Sequence, residues 1–270
     1  MAIQWSLVLF TVISGAGAWL FACAGLAELK APAKKAAFAM AILAVVLMAV
    51  GGICSVTHLS HPERVLGALA HPAPGIFLEA LLLGITAVVA IIYAVLVKRE
   101  AGAGVRKVLG IVGFILAIAF TFSCGSSYMM ASHPMWNTVA LPLAYMGTAA
   151  ASGTALFLLI ASAMHEEVET VKLAGILTMA GGALALVLGI VYGFAGGVAM
   201  GSQVALFWIG VVVCGGIAPL VCGIAATKKA DNALALGAVA FVGGLIGSGA
   251  LRCLMWLVGA ALMSLFGVSI

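Results

Sequence analysis

Long apolar runs closed by short polar punctuation constrain this chain more than any other feature. A helix that crosses the hydrocarbon of a bilayer needs about 20 apolar residues. On that template the sequence divides into eight spans, at 5–27, 36–58, 76–97, 106–130, 139–164, 171–195, 204–226 and 233–266. With 65% hydrophobic and 7% charged residues in 270, there is too little charge to cover a soluble domain of this size. The expected fold is an all-α integral membrane protein, a single domain over 1–270 with eight transmembrane helices in two four-helix bundles. The first 25 residues contain an apolar run with no basic segment before it, and polar Gln4 precedes it. They are expected to stay as a span rather than act as a cleaved signal.

Glycine is abundant, at 34 residues, and small residues let membrane helices approach closely. Gly181-Gly182 and the run from Gly243 to Gly247 therefore read as packing faces. They lack the preceding strand and the water that a phosphate-cradling loop needs. The last span is long enough to tilt, or to break at Gly243, Gly244, Gly247 and Gly249.

Basic residues alternate from one connection to the next. Lys30, Lys34 and Lys35 belong to the first, Lys98, Arg99, Arg106 and Lys107 to the third, Lys172 to the fifth, and Lys228 and Lys229 to the seventh. Of the 12 basic residues only Arg64 marks the even-numbered connections, and Arg252 falls inside the last span. Basic loops remain in the cytoplasm, so the odd connections are expected there, with both termini and the stretch 51–79 outside. The formal charge of +4 then reflects loop placement and does not point to nucleic acid.

None of the six cysteines forms a C-x-x-C pair, and all lie in or beside apolar runs. They read as small apolar residues, and the clustered cysteines of an iron–sulfur centre are missing. The histidines, at 58, 61, 71, 133 and 165, all fall at span ends or in loops. Haem would need His pairs deep within facing helices. No metal site, haem or iron–sulfur cluster is expected in this chain.

The polar residues that remain concentrate at one place. His58, His61, Glu63, Arg64, His71 and Glu79 all lie from the end of the second span to the first turns of the third. Each has an ordinary explanation. Glu79 can offset a helix dipole, Arg64 can reach headgroups, and His58 can bond a carbonyl. Together they place a base, a cation and an acid at one depth, away from the other charges, where titratable groups near lipid mark a site. Histidine exchanges protons near neutrality and can pass one from a hydroxyl to a carboxylate or to water. The linker between spans four and five, with Tyr128, His133 and Trp136, faces the same compartment. Its aromatic residues suit an interfacial belt or the wall of a pocket for an aromatic ligand.

The order His58-Leu59, Pro62, Arg64, Leu69 and then Glu79 at the head of the next span resembles the membrane-anchor subunit of bacterial dimethyl sulfoxide reductase. That family is a branch of the polysulfide-reductase-type quinol-interacting anchors. The opening Trp5-Ser6-Leu7-Val8-Leu9-Phe10-Thr11-Val12, the Trp-containing linker before Pro142, and Gly244-Leu245-Ile246-Gly247 are also similar. The resemblance implies an eight-span protein of the bacterial cytoplasmic (inner) membrane. Such a protein oxidises menaquinol at its outer end during anaerobic respiration and carries no cofactor of its own. Menaquinol and menaquinone would be exchangeable substrates. Electrons would pass to a four-cluster iron–sulfur subunit and on to a molybdopterin catalytic subunit. By position, His58 would bind the quinol and accept its proton, Arg64 would orient a ring oxygen, Glu79 would relay a proton, and Tyr128 would lie near the ring. The chain departs from the family pattern in the last span, where Gly244 and Ser248 stand in place of an acid and an arginine and Arg252 lies one turn further on.

Two other functions compete. A transporter would use a buried charge in a Gly-rich span, as Arg252 offers. A structural anchor would hold soluble subunits to the membrane without quinol chemistry.

Overall fold

The computed structural model describes residues 2–57 and 74–259, and all of the regular structure among them is helical. The eight helices are α1 (Trp5–Lys30), α2 (Ala37–Val56), α3 (Pro74–Lys98), α4 (Ala103–Ser126), α5 (Ala140–Ala163), α6 (Val168–Ala195), α7 (Ala218–Lys228) and α8 (Ala233–Val258). Immediately before α7, Leu206–Ile217 forms a π-helix that completes the seventh span. Among the described residues, eight segments are long and apolar enough to cross a membrane. The first seven begin and end within a few residues of the sequence expectation, whereas the eighth helix ends at Val258 and the expected end at 266 lies outside the described residues. Pro74 opens α3, a position where its missing N–H would have had no intrahelical partner.

Side-chain size decides which helices lie inside. In α1 the run Ser14-Gly15-Ala16-Gly17-Ala18 is wholly buried, and in α5 so is Ala149-Ala150-Ala151-Ser152-Gly153-Thr154-Ala155. Small side chains permit close approach on every face, so these two helices are central: 83% and 78% of their apolar stretches are buried, against 22% for α3. Helix α3 instead presents Leu78, Leu81, Ile85, Val88, Ile91, Ile92 and Val95 outward, the dress of a lipid-facing helix. Helix α1 packs against α2, α4 and α5, and α5 packs against α1, α4, α6 and α8.

Two glycine pairs mark close helix crossings. A Cβ on Gly25 of α1 would lie 2.3 Å from the Cα of Gly110 in α4. One on Gly247 of α8 would lie 2.1 Å from the Cα of Gly215 in the π stretch. No other residue type fits without moving a helix. Gly25→Val is expected to keep α1 from seating on α4, so that little folded protein accumulates in membranes. Wild-type accumulation with an unchanged thermal midpoint would show the crossing to be dispensable.

The glycines of α8 do not break it; the helix runs without interruption through Gly243, Gly244, Gly247 and Gly249. Irregular geometry appears in span seven instead, where Gly210, Gly215 and Gly216 lead into Pro219. Pro219 cannot donate to the preceding turn, and the glycines hold a helix weakly.

The first and fifth connections meet at the lysine-rich end. Oε1 of Glu166 accepts from the backbone N–H groups of Lys35 at 2.7 Å and Ala36 at 2.6 Å. Glu166 thereby caps α2, whose own N-cap residue, Ala36, offers no side-chain acceptor. Nearby, Lys34 Nζ pairs with Glu167 Oε1 at 2.9 Å in an exposed ion pair, and Lys35 Nζ donates to the His165 carbonyl. A surface pair of this kind contributes little, whereas the charged cap is short and shielded, with Glu166 buried. Glu166→Ala is expected to lower stability by about 1–2 kcal/mol, read as a lower thermal midpoint in detergent. Lys34→Ala should leave that midpoint nearly unchanged.

Arg252 is not the only charge taken out of water. Glu28, in the last turn of α1, is 6% exposed and lies 3.2 Å from Arg106 Nε. It also accepts from the Tyr93 hydroxyl at 3.0 Å. The cluster pins α1, α3 and α4 together at the lysine-rich end. By sequence Arg106 counts as a loop cation; in the structure its side chain is mostly buried against Glu28.

Candidate functional site

The opposite end of the bundle, free of lysine among the described residues, brings together the start of α3, the end of α4, the linker to α5, and the last two turns of α8. Glu79 projects from the second turn of α3 close to Ser127, the residue that caps α4. Ser127 Oγ also lies 3.1 Å from the Ser123 carbonyl, which fixes its position. The next residue, Tyr128, is thereby held beside the Glu79 carboxyl.

Tyr128 is the centre of an aromatic cluster. Its ring centroid is 5.9 Å from Trp136, 5.8 Å from Trp256 and 6.0 Å from Tyr145. Trp136 and Trp256 meet edge to face at 5.4 Å. The edge-to-face contacts among Tyr128, Trp136 and Trp256 are of the kind that the ring quadrupole favours. The indole N–H of Trp136 donates to the Met255 carbonyl at 2.8 Å, and the Tyr145 hydroxyl bonds Met255 Sδ at 3.2 Å. Trp136 is only 3% exposed, so it is an internal wall and not part of a lipid-facing belt. Burial pushes the Tyr128 phenol above its ordinary value, and the nearby Glu79 charge pushes it further. It remains a protonated donor across the physiological range.

Beneath the cluster lies Arg252, 1% exposed. Its guanidinium carbon sits 4.2 Å over the Tyr145 ring. Nε donates to Thr11 Oγ1 at 2.7 Å. Nη1 reaches Thr148 Oγ1 at 3.1 Å, Ser248 O at 2.9 Å and Ser248 Oγ at 2.8 Å. Among the described residues Nη2 has only the Thr11 carbonyl, at 3.4 Å. Helices α1, α5 and α8 thus supply neutral oxygens, and among the described residues no carboxylate pairs with this cation. A buried, uncompensated charge is costly. Its value is a fixed positive potential under the ring cluster, available to any ligand that develops negative charge.

His133, in the linker, is 8% exposed and stacks on Trp136 with centroids 4.4 Å apart and planes at 13°. His133 and His165 lie at opposite ends of α5. No group of three His, Cys, Asp or Glu side chains converges as a metal site among the described residues. The six cysteines are free thiols.

Of the residues expected from sequence, Glu79 and Tyr128 are brought together through Ser127. His58 and Arg64, with His61, Glu63 and His71, lie outside the described residues. Tyr145, Trp256 and the seat of Arg252 are additions that sequence reasoning missed. Their only shared signal is a polar or aromatic residue within an otherwise small or aliphatic span.

Residues 1–217 match the family model described as DMSO reductase anchor subunit (DmsC). The matched part holds Glu79, Tyr128, Trp136 and Tyr145, while Arg252 and Trp256 lie beyond it. No curated protein matches the chain.

Proposed function

Because the chain belongs to the DMSO reductase anchor subunit family, we propose that it is the quinol-oxidising membrane subunit of a molybdenum oxidoreductase. Its substrate is menaquinol, bound at the end of the bundle away from the lysines. The observation that carries this reading is the placement of Glu79 close to Ser127 and Tyr128, beside an aromatic cluster over Arg252. An acid, a phenol donor, aromatic walls and a cation with no carboxylate partner among the described residues are the four things that a quinol head group can use.

Each residue has a role in two-electron oxidation. The aromatic rings hold the quinol ring by edge and offset contacts. His58 takes a hydroxyl proton, and Glu79 receives it and releases it to water. Arg64 orients a ring oxygen, and Tyr128 donates to one. Arg252 favours the deprotonated ring from below. The electrons leave for a four-cluster iron–sulfur subunit docked over the second and fourth connections, and from it reach a molybdopterin catalytic subunit.

Ten basic residues on the odd-numbered connections support an orientation with those loops in the cytoplasm of a bacterial inner membrane. Both termini and the quinol site then face outward, where the protons are released. The catalytic subunit, not this chain, selects the terminal acceptor.

The test follows the electrons. Membranes carrying the three-subunit complex receive a reduced menaquinol analogue, and the iron–sulfur signals are read by electron paramagnetic resonance. Cluster reduction that needs this chain and stops with Glu79→Gln is the expected result. Reduction that proceeds equally with the variant would leave a structural anchor, and solute uptake by the chain alone in proteoliposomes would favour a transporter.

A further inference from the structure

Quinol oxidation releases two protons from hydroxyls on opposite sides of a ring, so one acceptor at one oxygen is half of the machinery. On the reading above, Glu79 with His58 serves one side. The structure also holds an unused acceptor against Trp136, the ring that packs on Tyr128. His133 is more than nine-tenths buried, its Nδ1 lies 3.0 Å from Ser132 Oγ, and its Nε2 is buried without a partner among the described residues. Buried polar atoms in native proteins are nearly always bonded, and an exception calls for an explanation such as a redox or catalytic role.

The surroundings of His133 are fixed. Its ring lies flat on Trp136, and Trp136 is locked by its bond to the Met255 carbonyl. Trp136 meets Tyr128 edge to face at 5.9 Å, and Tyr128 adjoins Ser127, which lies close to Glu79. Glu79 and His133 therefore border the two members of one aromatic pair. Stacking and the Ser132 bond together set the imidazole plane, which is what a proton acceptor needs to meet a bound hydroxyl at a defined angle. A belt histidine would instead turn its nitrogens to headgroups or water.

We propose that His133 is the second proton acceptor of the quinol site and binds the ring oxygen that Glu79 and His58 do not serve. The inference rests on the menaquinol reading of this end of the bundle. With Nδ1–H donating to Ser132 Oγ, the Nε2 lone pair is open to accept. As the quinol is oxidised its O–H bond breaks and the proton passes to Nε2, giving an imidazolium. The electrons of that bond leave for the iron–sulfur clusters of the partner subunit, and the imidazolium then loses its proton to water at the outer surface.

The test uses the intact complex in membranes with His133→Phe and His133→Gln. Each is read by quenching of a fluorescent hydroxyquinoline N-oxide, by quinol-driven turnover and by thermal midpoint. Phe keeps a ring on Trp136 but removes the acceptor, so turnover should fall by about a hundredfold and inhibitor binding by about tenfold. Gln restores a hydrogen-bonding group but cannot carry the proton, so binding should return to within about threefold of wild type while turnover stays low. Wild-type turnover in His133→Phe overturns the inference and leaves the quinol reading standing. So does a turnover loss that only tracks a lowered thermal midpoint in both variants, since that marks a structural role. Absence of inhibitor binding in the wild type overturns both.

Discussion

Glu79→Gln is expected to leave the protein folded and able to bind a quinol analogue while slowing quinol-driven turnover by about a hundredfold or more, the usual contribution of a positioned acid–base group. The amide is nearly isosteric with the carboxyl, so the packing of α3 against the end of α4 survives. What is lost is the capacity to hold a proton. Inhibitor affinity should stay within about threefold of wild type, since a neutral hydrogen bond remains. The competing explanation is that Glu79 merely offsets the dipole of α3. It predicts a stability loss of about 0.3–1 kcal/mol and no change in turnover. Steady-state turnover with a reduced menaquinol analogue, beside a thermal melt of the same sample, separates the two.

The second large effect is expected at Arg252. Arg252→Met should fold and melt at or above the wild-type midpoint, yet lose about a hundredfold to a thousandfold in turnover. Stability is retained because the hydroxyls that bind the guanidinium have other partners. Thr11 Oγ1 also donates to the Leu7 carbonyl at 3.0 Å, and Thr148 Oγ1 to the Ala144 carbonyl at 2.9 Å. Ser248 can turn onto its own helix, as buried serines commonly do. Methionine fills similar space with an adaptable apolar chain, and replacing a buried charge with a packed apolar group is often neutral or stabilising. Turnover falls because the positive potential beneath the Tyr128 cluster disappears. Arg252→Ala is a poorer probe, since it also opens a cavity between α1, α5 and α8. A Met variant with wild-type turnover would reduce Arg252 to a tie between helices.

The lipid environment explains why so much of the fold was legible in the sequence. A bilayer forces each crossing to be apolar for its whole length, so the eight spans show as runs, and the lysines fall on alternate connections. The interior status of α1 and α5 is written in the small side chains of Ser14 to Ala18 and Ala149 to Ala155, a signal of size and not of polarity. The site was legible only where it is local: Glu79 and Tyr128 stand out beside their own span ends. The aromatic cluster joins positions 128, 136, 145 and 256, and no periodicity links them. The Glu28–Arg106–Tyr93 cluster escaped for a related reason, since Arg106 sits at a span end where a basic residue has a ready explanation. The π-helix before Pro219 was hidden because the glycines of the last span looked equally breakable; packing keeps that helix whole and places the irregularity opposite it, where Gly215 meets Gly247. The cap on α2 from Glu166 is a contact across 130 residues, and such contacts leave no local signature.

The central claim is that a quinol binds at the end of the bundle away from the lysines. Its most direct test is a fluorescence-quench titration of a hydroxyquinoline N-oxide in membranes holding the intact complex, wild type against His58→Ala. Saturable binding in the wild type that is lost in the variant is the predicted result. Equal binding in both would move the site away from this end, and no binding in either would contradict quinol chemistry in this chain.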